Sequence, residues 1–188
     1  MKVRLLVCAA VAMVGGFAIA AELESGLQPG AAIGAFNVVK CSGATDDGVE
    51  VGTELCYRCR YGARPMVMVF SRQSDEALVA LTKQLDAEVA EHSDKKLSAF
   101  VNLMGEDRDA LEARAKAIGS ENEIATVPVV VPTEFENGPA DYGINPDAQV
   151  TVIIANKSKV VANHAIGEDG LTEEAIAAIL ADVEKVVE

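Results

Sequence analysis

The sequence contains no tryptophan, and only three tyrosines and five phenylalanines occur among its 188 residues. Proteins that stack sugar rings or nucleic-acid bases use exposed aromatic side chains, so we expect no platform of that kind. Cations are also scarce, because 16 lysines and arginines stand against 29 aspartates and glutamates and give a net charge of −13. This balance disfavours nucleic acid and anionic membrane surfaces as partners.

Acidic residues are absent from the first twenty positions. Lys2 and Arg4 precede an apolar run over residues 5–20, which ends in the small-x-small pattern AIA at residues 18–20. This order is typical of a secretory signal peptide, and we expect cleavage near Ala20. The apolar run is shorter than the roughly 20 residues of a spanning helix, so we expect no stable membrane insertion after cleavage.

The mature chain is therefore expected outside the cytoplasm, either in a periplasm or secreted. Removing two cations and no acid with the leader leaves 14 lysines and arginines against 29 acids, a net charge of −15. The Gly- and Pro-containing residues 21–34 read as a linker-like N-terminal segment, and residues 35–188 as one domain.

Hydrophobic periodicity divides the rest of the chain into short strands and longer helices. We predict strands at residues 35–40, 55–61, 65–70, 97–104, 125–131, 150–155 and 160–165. Helices are predicted after capping residues Ser74, Asp107 and Thr172, the second ending at Gly119 and the third running towards Val187. A βαβ crossover followed by a β-hairpin and a terminal helix predicts an α/β, thioredoxin-like fold: a central mixed sheet flanked by helices, with an N-terminal β-hairpin extension.

Three stretches in this order resemble the redoxin branch of the thioredoxin superfamily, which includes alkyl hydroperoxide reductases. They are LQPGAAIGAF at residues 27–36, RPMVMVF at residues 64–70, and YGI at residues 142–144 followed by the hairpin strands. The resemblance covers nearly all of the mature chain. It implies the thioredoxin-like fold, thiol–disulfide chemistry and a protein thiol or disulfide as the partner.

The resemblance also implies where a reactive cysteine should lie. The family places it after the central strand, at the N-terminus of the next helix, where the helix dipole stabilises a thiolate. In this chain residues 71–74 read Ser-Arg-Gln-Ser, so the usual active-site cysteine is missing, and Val150 stands where the family has a cis-proline. A peroxidase of the usual kind is therefore not expected.

Cysteine is rare as well, and the four residues of this type include Cys8 in the leader. Cys56 and Cys59 form a CxxC motif whose intervening and following residues include Arg58 and Arg60, cations that favour a thiolate. We predict Cys56 and Cys59 as a redox-active pair tuned by these two arginines. The motif precedes the central strand instead of following it.

A structural role for the cysteines is the alternative. If residues 55–61 form a strand, Cys56 and Cys59 point to opposite faces about 10 Å apart, which is too far for a disulfide. One of them could then pair with Cys41 and close an acidic loop, a disulfide worth about 3 kcal/mol for about 15 residues. The protein would then be a redox-inactive binding or scaffold protein.

No cofactor is predicted, and no metal site. Three cysteines would need a fourth zinc ligand, and the two histidines lie far along the chain. His92 is expected in solvent at a polar helix end, and His164 at a strand end. Ser71 and Ser74 are expected to serve as turn and cap residues, since no histidine is placed to activate them.

Overall fold

The computed structural model describes residues 23–188, so the predicted leader lies outside the described residues. The described chain forms one sheet and four helices. The strands are β1 (Val38–Ser42), β2 (Glu54–Leu55), β3 (Met66–Ser71), β4 (Ser98–Leu103), β5 (Val129–Pro132), β6 (Val150–Asn156) and β7 (Lys159–Ile166). The helices are α1 (Tyr57–Tyr61), α2 (Glu76–Glu91), α3 (Arg108–Glu121) and α4 (Glu173–Val187). Among the residues described, no helix has the length and hydropathy to cross a membrane.

The seven strands lie in the order β2-β1-β5-β4-β3-β6-β7. β3, β4 and β5 are parallel and are joined by crossovers through α2 and α3, whereas β6 and β1 pair antiparallel with β3 and β5. β6 and β7 form the predicted hairpin, and α4 follows it. The α/β layout with a mixed sheet is confirmed, and the short β1–β2 pair forms the N-terminal hairpin at one sheet edge.

β3 is the centre of both hydrophobic clusters, because each of its six side chains is buried. Val67 and Val69 face a cluster built with α2, α3 and α4. Met66, Met68 and Phe70 face the opposite cluster, which none of the long helices within residues 23–188 covers. We call these two sides the helix face and the open face. The open face is covered by residues 27–36, α1 and residues 142–144.

The N-terminal segment is docked against the open face. The Ser25 hydroxyl lies 2.6 Å from the Thr151 hydroxyl, and the Asn163 amide donates to the Ser25 carbonyl. Gly30 donates to the carbonyl of Val160. Residues 23–37 therefore pack as part of the sheet's covering layer, and a domain boundary at residue 35 stays a prediction.

Two helix ends differ from the prediction. Asp75, not Ser74, caps α2, because its carboxylate accepts from the Leu78 N–H at 3.1 Å. Gly119 was expected to end α3, but the helix continues past it to Glu121. The glycine is needed there because a side chain at this position would collide with Ser42 of β1.

The segment before β5 is a turn rather than the predicted strand start at residue 125, and Asp86 of α2 fixes it. The Asp86 carboxylate accepts from the Thr126 N–H at 2.6 Å, from the Val127 N–H at 3.0 Å and from the Thr126 hydroxyl at 2.7 Å. Partial burial pushes the pKa of Asp86 upward, but these hydrogen bonds outweigh burial and hold it below its ordinary value. Asp86 thus joins α2 to the entry of β5.

Replacing Asp86 by Asn is expected to lower the free energy of unfolding by about 2 kcal/mol at neutral pH, because several hydrogen bonds to a charged acceptor are weakened. Since the folded pKa lies below the unfolded value of 3.8, this stabilisation is complete above that pH and is lost as the pH falls through the folded pKa. Urea denaturation at pH 7 and at about pH 2.5 should show the difference between the proteins shrinking in acid. Asp169→Asn, in an exposed turn, is the control, and an equal effect of both changes would contradict this role for Asp86.

Candidate functional site

The CxxC motif lies in the short helix α1 and not in the predicted strand over residues 55–61. Only Glu54 and Leu55 pair with β1, and the chain then turns into a helix that begins at Tyr57. A helical turn brings positions i and i+3 together, so Cys56 and Cys59 lie with their Cα atoms 5.2 Å apart and form a disulfide. The 10 Å separation, which would have followed from a strand at residues 55–61, does not occur because the backbone there is helical.

Cys56 has a second role as the N-cap of α1. Its Sγ atom accepts from the backbone N–H of Cys59 at 3.0 Å. A cap of this kind satisfies one of the N–H groups that a helix leaves free at its start. The same N–H would stabilise a thiolate on Cys56 once the disulfide is reduced.

Two tyrosines fix α1 to the open face. Tyr57 and Tyr61 are one turn apart, with ring centroids 5.5 Å from each other and 5.9 and 6.1 Å from the ring of Phe100. Phe100 of β4 pairs with Met68 in the middle of β3. The two tyrosines therefore place α1 over the centre of the open face. Tyr57 is completely buried, and it anchors the helix.

A largely buried ion pair between Lys40 and Asp47 holds the hydroxyl of Tyr57 in place. The Tyr57 hydroxyl donates to Asp47 at 2.6 Å, and the other carboxylate oxygen of Asp47 accepts from the Lys40 ammonium at 2.7 Å. Lys40 is only 2% exposed and also donates to the carbonyls of Ala44 and Val49 at 2.8 and 2.9 Å. All three ammonium protons therefore have acceptors, which a buried charge requires.

The pKa shifts agree with this arrangement. Partial burial would raise the pKa of Asp47, but hydrogen bonds from Lys40 and Tyr57 outweigh it and hold that pKa below the ordinary value. Burial, together with the neighbouring Asp47 carboxylate, raises the pKa of Tyr57, so its hydroxyl stays protonated and able to donate. The loop over residues 44–49 is thus held between β1 and α1.

The two cysteines of the CxxC differ in solvent exposure. Cys59 is exposed and Cys56 is half-buried, so a macromolecular partner reaches Cys59 more readily. Arg60 donates to the Asp47 carbonyl, which fixes it beside the loop. Arg58 is half-buried, and its Nε atom has no hydrogen-bond partner among residues 23–188. Both predicted tuning residues thus lie on the motif's own helix, and their effect on the thiols stays a prediction.

Cys41 does not pair with either CxxC residue. It is a buried free thiol on the helix face, whereas α1 lies on the open face, so the sheet separates them. Burial, with the Glu112 carboxylate adding to it, raises the pKa of the Cys41 thiol to about 11. The thiol is therefore protonated near neutral pH and is a poor nucleophile. Lys40, one residue earlier, closes the acidic loop that a Cys41 disulfide would have closed in the alternative prediction.

The position of the usual reactive cysteine is filled by a turn. Ser71 ends β3, is buried, and donates through its hydroxyl to the Gln73 carbonyl at 2.7 Å. Arg72 donates to the Glu136 carbonyl at 2.7 Å. Val150, the first residue of β6, pairs with Ser71 of β3. The N-terminus of α2 thus carries no cysteine. The CxxC lies at α1, which precedes β3, whereas α2 follows it.

Comparison with known proteins supports the fold. No family model matches the chain, and neither does any curated protein. A solved structure from Chlorobium tepidum, described as a putative thiol:disulfide interchange protein DsbE, superposes with a TM-score of 0.61 at 12% identity over 86% of this chain and 99% of that one. AhpC from Mycobacterium tuberculosis gives a TM-score of 0.58 at 13% identity, again over 86% and 99%.

The exposed lipoprotein thioredoxin Etrx1 of Streptococcus pneumoniae gives a TM-score of 0.53 at 15% identity, over 81% of this chain and 99% of that one. At identities this low the likeness establishes the fold and no activity. The fold is thioredoxin-like, and the resemblance to redoxins noted in the sequence is confirmed at that level.

We expect Asp47→Ala to lower the free energy of unfolding by about 3 kcal/mol, because it leaves the buried Lys40 ammonium without its carboxylate. Asp46→Ala is the matched control, since Asp46 is the exposed neighbouring residue. Urea denaturation of both variants at neutral pH measures the difference. If the two variants lose the same stability, the Lys40–Asp47–Tyr57 contacts do not hold the loop.

Proposed function

We propose that the protein is an exported thiol–disulfide oxidoreductase whose redox centre is the Cys56–Cys59 pair. The observation that carries the proposal is the disulfide between these residues at the short helix α1, with Cys59 exposed and Cys56 Sγ accepting from the backbone N–H of Cys59. An exposed sulfur is accessible to thiol–disulfide exchange, whereas a buried structural disulfide is not. The neighbouring structures share the fold and are consistent with this chemistry.

The exchange proceeds through a mixed disulfide. A partner thiolate attacks Cys59 Sγ, forming one S–S bond and breaking the Cys56–Cys59 bond, and Cys56 leaves as a thiolate. The N–H of Cys59 stabilises that leaving group. A second partner thiolate then attacks the partner sulfur of the mixed disulfide and releases Cys59. The partner loses two electrons and becomes a disulfide, while the CxxC gains them; the reverse sequence reduces a partner disulfide.

Arg58 and Arg60 are proposed to tune the pair. Both belong to α1, and residues 55–74 contain four arginines and no acidic residue in a chain of strongly negative net charge. A cation near a sulfur favours the thiolate and lowers the thiol pKa. The usual source of this effect in the fold, a long helix after β3, is not available at α1.

Export after cleavage near Ala20 belongs to the same proposal, as does a domain over residues 35–188 preceded by the segment at 21–34. A periplasmic or secreted location would supply the partners that the chemistry needs, namely protein thiols and disulfides. Peroxide reduction by the usual route is not proposed, because no cysteine follows β3.

Replacing Cys56 or Cys59 by serine is expected to reduce insulin disulfide turnover to the uncatalysed rate, while Cys41→Ser leaves it unchanged because that thiol is buried and protonated. Mass-spectrometric mapping of the protein in glutathione buffers should find the Cys56–Cys59 bond opening between about −120 and −270 mV. Wild-type protein without turnover, or a bond resistant below about −300 mV, would favour a redox-inactive binding protein instead.

The arginines allow a separate test. Changing Arg58 and Arg60 together to glutamine is expected to raise the pKa of the more acidic CxxC thiol by about one unit, because two cations beside the thiolate are lost. The absorbance of the thiolate as a function of pH, measured on the reduced protein, gives that pKa. Arg114→Gln, at an exposed position of α3, is the control, and an unchanged pKa in the double variant would remove the arginines from the proposed tuning.

A further inference from the structure

A second group of chemistry-bearing side chains lies between α2 and α4. Glu88 and His92 are one turn apart at the C-terminal end of α2, and Glu184 reaches them from the last turns of α4. His92 is half-buried between the two carboxylates and not in solvent as expected from the sequence. We call Glu88, His92 and Glu184 the helix-end cluster.

Two of the three spacings between the ligand atoms match those of metal ligands. His92 Nε2 lies 3.4 Å from Glu88 Oε2 and 3.2 Å from Glu184 Oε1, and the ligand atoms all lie within 4.8 Å of one another. Ligands placed tetrahedrally at about 2.0–2.1 Å from a zinc ion stand about 3.3 Å apart. The two measured distances are therefore those of a tetrahedral edge.

The carboxylates of the helix-end cluster outnumber its basic groups, since His92 is the one basic side chain of the described residues beside them. Two carboxylates face each other, and within residues 23–188 neither has a lysine or arginine as an ion-pair partner. Glu88 Oε2 is buried and has no hydrogen-bond partner among those residues.

We propose that the helix-end cluster binds one divalent transition-metal ion, for which zinc is the best fit, through His92 Nε2 and one oxygen each of Glu88 and Glu184. Zinc takes imidazole nitrogen and carboxylate oxygen as ligands, and a site with three protein ligands leaves the fourth position to a water molecule. The imidazole selects against magnesium and calcium, which prefer oxygen ligands alone. The ion would clamp α2 to α4 on the helix face, independently of the CxxC.

The other histidine supplies a matched control. His164 Nε2 lies 2.9 Å from Asp182, but the second oxygen of Asp182 is taken by the Lys185 ammonium at 2.6 Å. His164 therefore meets one carboxylate that is already compensated, and this pair has no third ligand among the residues described. It resembles the helix-end cluster in composition but is not proposed to bind metal.

The test is calorimetric titration of the purified protein with Zn²⁺, with Cys8 and Cys41 changed to serine and the CxxC oxidised so that no thiol competes. We expect one saturable site per chain. His92→Ala and Glu184→Gln should each weaken zinc binding more than about tenfold, while His164→Ala stays within about twofold. Excess zinc should raise the melting temperature of the parent but not of His92→Ala, and Co²⁺ should give the visible absorption of a tetrahedral site.

Two results would overturn the proposal. The first is the absence of saturable zinc binding in a correctly folded parent, which would leave the cluster as an ion pair. The second is zinc binding that survives His92→Ala or is lost in His164→Ala, which would place the ion elsewhere. Magnesium or calcium binding as tightly as zinc would contradict the role of the imidazole. None of these results depends on whether the CxxC is redox-active.

Discussion

The burial of β3 on both faces is the constraint on which the rest of the molecule depends. Its side chains alternate between the helix face, reached by Val67 and Val69, and the open face, reached by Met66, Met68 and Phe70. The parallel crossovers through α2 and α3 place those helices on the helix face, so the open face must be covered by irregular chain. The N-terminal segment and α1 provide that cover, and this is why the CxxC lies against the sheet.

A chain without regular structure that covers an apolar face needs hydrogen-bond partners for its backbone and side-chain polar groups. The contacts among Lys40, Asp47 and Tyr57 provide such partners for the loop over residues 44–49. The Lys40 ammonium donates to two carbonyls and one carboxylate of the loop over residues 44–49. That carboxylate, of Asp47, also accepts from the Tyr57 hydroxyl. An ion pair of this kind gives little net stability compared with apolar packing, but breaking it is costly. Its structural value is that it specifies one position for α1.

The sequence was sufficient to predict the sheet, the βαβ unit, the hairpin and the terminal helix, because long periodic segments such as α4 and continuous apolar strands such as β3 carry strong local signals. It was insufficient for α1. Cys56, Tyr57 and Tyr61 favour a strand by composition, and the i,i+4 spacing of the two tyrosines was the overlooked helical signal. Lys40, Asp47 and Asp86 were also missed, since their partners lie far along the chain or depend on which face β1 presents.

The displaced position of the CxxC changes the physical basis of any thiolate chemistry. In the usual arrangement a long helix after the central strand offers its dipole and free N–H groups to the reactive sulfur. Here that helix start is closed by the Asp75 carboxylate and the Ser71 turn, and a helix of five residues has little dipole to offer. In the proposed chemistry, stabilisation of a Cys56 thiolate would come from the backbone N–H of Cys59 and from the neighbouring arginines, and both depend on the position in which Tyr57 holds α1. The redox potential of such a pair would be set by the anchoring of α1 as much as by the motif itself.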